Sequence, residues 1–118
     1  MRKKAVSGMM LTLLLIGMLT LAFNIQSAKG TGTIFIRADG SIDPPTAPIF
    51  TMDNITYTFT DNINDEIVVE RSNIIIDGNS HKLQGSGIGL GLDLLYVSNV
   101  TIKNSYITNF GYGIRLYG

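Results

Sequence analysis

Two stretches of this chain repeat each other at a spacing of 26 residues. The first runs Ser72-Asn73-Ile74-Ile75-Ile76 and on to Gly85, Ile88 and Leu90; the second runs Ser98-Asn99-Val100-Thr101-Ile102 and on to Gly111, Ile114 and Leu116. Self-similarity at a fixed period of this size is the mark of a solenoid, in which one repeat buries its apolar face only by stacking on the next. No other feature of the sequence restricts the fold as strongly.

The repeats are built from very short pulses of alternating polarity. Tyr57 and Phe59 flank Thr58, Ile67 and Val69 flank Val68, and Ile74 and Ile76 flank Ile75. Further on, Val100 and Ile102 flank Thr101, while Ile114 and Leu116 flank Arg115. A period of two means strands with one buried face, and it leaves Thr101 and Arg115 pointing outward. Glycine, asparagine and aspartate recur between the pulses, as tight turns require. Three strands per coil are expected: 74–76, 82–84 and 88–90, then 100–102, 106–108 and 114–116. Leu83 and Ile107 lie 24 residues apart, so the turn Gly78-Asn79-Ser80-His81 should carry two extra residues. Residues 57–69 read as a looser preceding coil. A two-sheet sandwich also uses short alternating strands, but nothing in it requires apolar positions to recur at one spacing. The expectation is therefore an all-β, right-handed parallel β-helix of about two to three coils.

Ahead of the repeats lie two segments of different character. Met1-Arg2-Lys3-Lys4, an uncharged and largely apolar run from Ala5 to Phe23, and the small residues Ser27-Ala28 have the three-part pattern of a secretory leader. The expectation is a signal peptide helix over 1–28, cleaved after Ala28; an uncleaved membrane anchor is the alternative. Residues 29–53 read as an N-terminal cap, with a strand at Thr33–Arg37, a turn at Ala38–Ser41, and all three prolines of the chain between Pro44 and Pro48. Proline cannot donate to a ladder, so this stretch is not a central strand. Residues 54–118 are the repeats.

Composition excludes several classes of function. Beyond residue 28 six basic residues stand against nine acids, a net negative balance without a basic stripe, so nucleic acid is not an expected partner. The chain has no cysteine, which rules out disulfides and thiolate metal sites.

The blocks Ser72-Asn73-Ile74-Ile75-Ile76-Asp77-Gly78 and Ser98-Asn99-Val100-Thr101-Ile102-Lys103-Asn104, each followed later by a Gly-x-Gly-Ile run, resemble right-handed parallel β-helix repeats, and more narrowly the NosD-like repeats of secreted and cell-surface proteins. The resemblance covers residues 67–118 and implies the pectate-lyase-like fold more than any activity. Some NosD-type proteins serve maturation of a copper enzyme, and other members of the wider fold cleave or bind acidic polysaccharides. Beyond the leader this chain offers one histidine, His81, and one methionine, Met52, too few for a copper site. His81 in its Gly/Asn/Ser turn reads as a solvated turn residue.

Glycan cleavage needs carboxylates converging on one face. The candidates are Asp61, Asp65, Glu66, Glu70, Asp77 and Asp93, with Arg71 and Arg115 as cations, and the 26-residue offset aligns none of the acids into a catalytic constellation. Asp65-Glu66 reads as a solvated turn. Asn73 and Asn99, one coil apart, are expected to stack as an inward-turned asparagine ladder. Asn54-Ile55-Thr56 and Asn99-Val100-Thr101 are both glycan-acceptor patterns; a buried ladder leaves Asn54 as the accessible one. Tyr96, Tyr106 and Tyr112 are candidates for stacking against sugar rings.

The expected protein is thus a secreted or cell-surface scaffold contacting glycans or surface partners, with no cofactor and no catalytic set within the chain. Two alternatives stand: a polysaccharide lyase or hydrolase whose active coils lie beyond residue 118, and, more distantly, a NosD-like accessory to a copper enzyme. Because the sequence stops straight after the strand at 114–116, the last coil is expected to stack on downstream coils or on another copy.

Overall fold

The computed structural model describes residues 32–118, so the leader expected at 1–28, its helix and its cleavage point after Ala28 lie outside the described residues. The described chain is all-β, with no helix among those residues. Eleven strands follow in order: β1 (Ile34–Ile36), β2 (Ile42–Asp43), β3 (Ile49–Phe50), β4 (Thr56–Phe59), β5 (Ile67–Val69), β6 (Ile74–Asp77), β7 (Lys82–Gln84), β8 (Leu90–Leu95), β9 (Val100–Lys103), β10 (Tyr106–Thr108) and β11 (Tyr112–Tyr117).

They form three open sheets, of order β11-β8-β5-β1-β2, β3-β4-β6-β9 and β10-β7. From β4 onward the chain visits the sheets in rotation, so that β5, β6, β8, β9, β10 and β11 each pair in parallel with an earlier strand, and Ile63 extends the smallest sheet by a parallel bridge to Leu83. Among the described residues the only antiparallel pairs are β1–β2 and β3–β4, which end two of the sheets on their N-terminal side. Pro44, Pro45 and Pro48 lie between or beside these edge strands, where a missing N–H costs no ladder bond.

Parallel pairing with an even period stacks like on like. Ile34, Ile67, Leu92 and Ile114 form one inward column; Ile36, Val69, Leu94 and Leu116 form the next. Tyr57, Ile76 and Ile102 make a third, and Ile63, Leu83 and Ile107 a fourth. These columns are the core, and full burial of each such side chain stabilises by about 1.5–3 kcal/mol. Burial then falls away in the last wrap: Leu92 is 0% exposed, whereas Ile114 is 47% and Leu116 76% exposed.

Register corrects one expectation. Strands β6 and β9 pair 26 residues apart, as the repeat predicts, and β7 pairs with β10 at 24 because Gly78–His81 is two residues longer than Asn104–Ser105. The third pairing, however, is at 22: Leu92 meets Ile114 and Leu94 meets Leu116. The expected strand at 88–90 is instead a turn running into β8, and Ile88 is 76% exposed. Gly87 and Gly89 adopt φ of +102° and +79°, which bends the chain at 85–89 where other residues would keep it extended. The matches 85/111, 88/114 and 90/116 are therefore out of register. A shift of four keeps the inward parity, so the apolar pattern alone does not distinguish 26 from 22.

Candidate functional site

The outward face of the largest sheet carries the charged chemistry of the chain. Phe35, Val68, Asp93 and Arg115 lie side by side across β1, β5, β8 and β11. Arg115 donates to both carboxylate oxygens of Asp93, from Nε at 3.0 Å and from an Nη at 2.7 Å. Asp93 is only 4% exposed, the one buried charged residue among those described, and a bidentate guanidinium is the partner such a carboxylate needs. In turn Asp93 holds Arg115 more firmly in its charged form. The guanidinium also lies 5.6 Å from the Tyr117 ring centroid.

At the other edge Arg37 sits 4.0 Å above the Phe35 ring and bonds Asp43 at 2.7 Å and Glu70 at 3.3 Å. Both cations of this face are thus committed to carboxylates. Glu66 lies just before β5, its carbonyl accepting the Ile34 N–H at 2.8 Å. Burial pushes its carboxyl above the ordinary value, the Asp93 charge pushes it further, and Arg115 pulls it back.

Beside Glu66 opens a cleft of about 240 Å³ whose wall includes Thr33, Asp65, Glu66, Ser86, Ile88 and Phe110. The glycine turn at 85–89 makes one side of it. A Cβ on Gly85 would collide with the Phe110 ring and the Asn109 carbonyl, so glycine is what lets the ring close down there. Asp65 accepts a hydrogen bond from the Gly32 N–H at 3.3 Å. The wall of the cleft carries an aromatic residue, two hydroxyl residues and two acids.

The geometry does not assemble a hydrolytic pair. Asp93 is buried with both oxygens bonded to Arg115, and Asp65, the other acid on the cleft wall beside Glu66, accepts the Gly32 N–H. Glu70 is held by Arg37, and Asp77 and Asp61 serve turns. Asp77 accepts from the Asn79 N–H at 2.9 Å and from Asn104 Nδ2 at 3.2 Å, which holds it below the ordinary carboxylate value. Asp61 accepts from the Asn62 N–H. Arg71 donates to the carbonyls of Ala38 and Asn54, tying turns together. His81 sits half-buried in its turn, its backbone N–H bonded to the Gly78 carbonyl. Among the described residues no three His, Cys, Asp or Glu side chains converge as metal ligands.

Asn73 and Asn99 do meet: Asn99 Nδ2 donates to Asn73 Oδ1 at 2.9 Å, and the Ser98 N–H donates to Ser72 Oγ at 3.0 Å. The expected inward orientation is corrected, because both asparagines are exposed. Each precedes its strand at the corner and takes the left-handed region, with φ of 61° and 55°. Tyr96, Tyr106 and Tyr112 are exposed but not gathered. Tyr106 lies on the two-stranded sheet, while Tyr112 and Tyr96 stand toward opposite ends of the β8–β11 ladder, and Tyr96 packs edge-on to Tyr117 at 5.4 Å. They form no common sugar platform.

Two features escaped the sequence reading. The Asp93–Arg115 pair is invisible at an offset of 26 and becomes obvious at 22. The cleft depends on Phe110 and the glycine turn, whose last residues fall in the strand expected at 88–90.

A scan against protein-family models and searches among curated proteins and solved structures give no match to this chain.

Proposed function

We propose that the chain is a right-handed parallel β-helix of NosD-like repeats, exported to the cell exterior, that acts as a non-catalytic scaffold for contact with glycans, and that the cleft beside Glu66 is where contact occurs. The observation that carries the functional part is the cleft itself: the Phe110 ring, Ser86 and Thr33 set against Asp65 and Glu66 on a wall of stacked strands. Support for the β-helix comes from in-register parallel ladders on three sheets around one core. Support for export comes from the pattern of residues 1–28.

The electrostatics select among glycans. With two acids and no cation on the cleft wall, and with Arg115, the cation whose charge Glu66 feels, already paired to Asp93, the site repels uronate polymers and favours neutral or amino sugars. The test is affinity electrophoresis of the protein through gels containing a neutral β-glucan, chitosan oligomers or polygalacturonate. Retardation is expected by the first two and not by the third, and Phe110→Ala should abolish it. Preferential retardation by polygalacturonate, or retention unchanged in Phe110→Ala, would overturn the assignment.

A further inference from the structure

We infer that Asn54 is an acceptor for N-linked glycan and that Asn99, which has the same tripeptide pattern, is withheld by the fold. The two patterns, Asn54-Ile55-Thr56 and Asn99-Val100-Thr101, are equivalent as sequence. Their surroundings differ at the one group that reacts, the side-chain amide nitrogen.

The amide of Asn99 is in use. Its Nδ2 donates to Asn73 Oδ1 at 2.9 Å, and the following residues are laid onto β6, with Val100 opposite Ile74 and Thr101 opposite Ile75. Presenting Asn99 to a transferase therefore means breaking the asparagine stack. The Asn54 pattern is laddered to the same strand, Thr56 lying opposite Ile75 and the Ile55 carbonyl accepting the Ile75 N–H at 2.8 Å, so the two sites differ at the amide and not in their attachment to β6. Residues 52–55 are all exposed, and Asn54 takes a left-handed φ of 56° at the corner before β4. Its backbone is fixed from both sides, the N–H donating to Thr51 Oγ1 at 3.0 Å and the carbonyl accepting from Arg71 Nε at 3.1 Å. Asp53 Oδ1 accepts the N–H groups of Ile55 and Thr56 at 3.0 and 2.9 Å. The Asn54 carboxamide itself makes no hydrogen bond among the described residues. The unbonded amide is what separates Asn54 from Asn99.

The donor is an oligosaccharide carried on a polyprenyl pyrophosphate. A bond forms between Asn54 Nδ2 and the anomeric carbon, and the anomeric C–O bond breaks with its electron pair leaving on the lipid pyrophosphate. One amide proton passes to the transferase. The product adds a bulky, solubilising group next to Met52 and Ile55, which are 88% and 49% exposed.

The experiment presents the folded full-length chain to a purified oligosaccharyltransferase and its lipid-linked donor, with occupancy read at each site by glycopeptide mass spectrometry. Because no export step is involved, the result is independent of the leader at 1–28 and of the glycan cleft. Occupancy at Asn54 is expected to exceed that at Asn99 by about tenfold, the scale of one side-chain hydrogen bond that must be broken first. Asn73→Ala should raise Asn99 occupancy toward that of Asn54, while Asn73→Asp, which keeps an acceptor oxygen for Asn99 Nδ2, should not. Equal occupancy of the two sites in the unmutated chain, no glycan at Asn54, or equal effects of the two Asn73 variants would each overturn the inference.

Discussion

Ile76 and Ile102 occupy the same column one wrap apart, which makes them a matched pair for measuring how burial changes along the stack. Ile76 is 0% exposed, with Tyr57 in register below it and Ile102 above. Ile102 has only Ile76 on one side and is half-buried. Truncating a fully enclosed isoleucine to alanine costs about 2–5 kcal/mol, since the lost transfer energy is joined by a cavity that the neighbouring layers cannot collapse into. Ile76→Ala should fall in the middle of that range, at about 3.5 kcal/mol. At Ile102 solvent already reaches one side, no closed cavity forms, and the loss should be about half, near 1.5 kcal/mol. In a domain of this size 1 kcal/mol moves Tm by about 4–8 °C, so Ile76→Ala should melt roughly 8–16 °C below Ile102→Ala. Urea and thermal unfolding of both variants, followed by far-UV circular dichroism at several protein concentrations, makes the comparison. Equal losses would refute the reasoning, because Ile102 would then be as enclosed in solution as Ile76 and the face formed by β9, β10 and β11 would be covered.

Gly78→Ala should destabilise strongly, by about 1–3 kcal/mol, because its Cβ would lie 2.5 Å from the Asn104 carbonyl oxygen and 2.6 Å from Ser105 Cα in the next wrap; Gly113→Ala, whose nearest contact is at 3.4 Å, should be nearly silent in the same urea titration. Tyr57→Phe should cost about 1–2 kcal/mol by chemical denaturation, since the Tyr57 hydroxyl donates to the Gly40 carbonyl at 2.7 Å inside the core and its loss leaves that oxygen unpaired. Stability should vary with pH in two opposed parts. Asp77, depressed in the fold below its ordinary 3.8, contributes stability that is present above that value and lost as pH falls through its folded value; Asp77→Asn should therefore blunt the acid loss of urea midpoint. Glu66 is raised above its ordinary 4.5, so its ionisation penalty is absent below 4.5 and grows as pH climbs from there through the folded value; Glu66→Gln should remove that decline, and a midpoint that rises across this window in the unmutated chain would contradict it.

The all-β class and most strand positions were legible because alternation over three or four residues survives any context: 74–76, 82–84, 100–102 and 106–108 all lie within strands. The face each residue takes was legible for the same reason. What alternation cannot encode is register, since any even shift preserves the faces. The segment Gly85-Ser86-Gly87-Ile88-Gly89 admits both a strand and a turn, and the left-handed glycines choose the turn. Everything that depends on that choice was hidden with it: the Asp93–Arg115 pair, the position of Phe110 and the cleft. The asparagine contact was visible from equal spacing, but its exposure was not, because Asn73 and Asn99 sit at corners just outside β6 and β9, where strand alternation does not set the face.

The descending offsets of 26, 24 and 22 carry a consequence for how such a chain can vary. Successive wraps of different contour length lie in perfect registry, so the surplus is absorbed wholly at two corners, 78–81 and 85–89, and none of it leaks into the ladders. Length is therefore a free variable at the corners and a forbidden one in the strands, where a single added residue would exchange inside for outside. One of those two elastic corners is also a wall of the cleft. The shape of the cleft can be rewritten by lengthening or shortening 85–89 without disturbing a single column of the core, which separates what the surface grips from what keeps the stack standing.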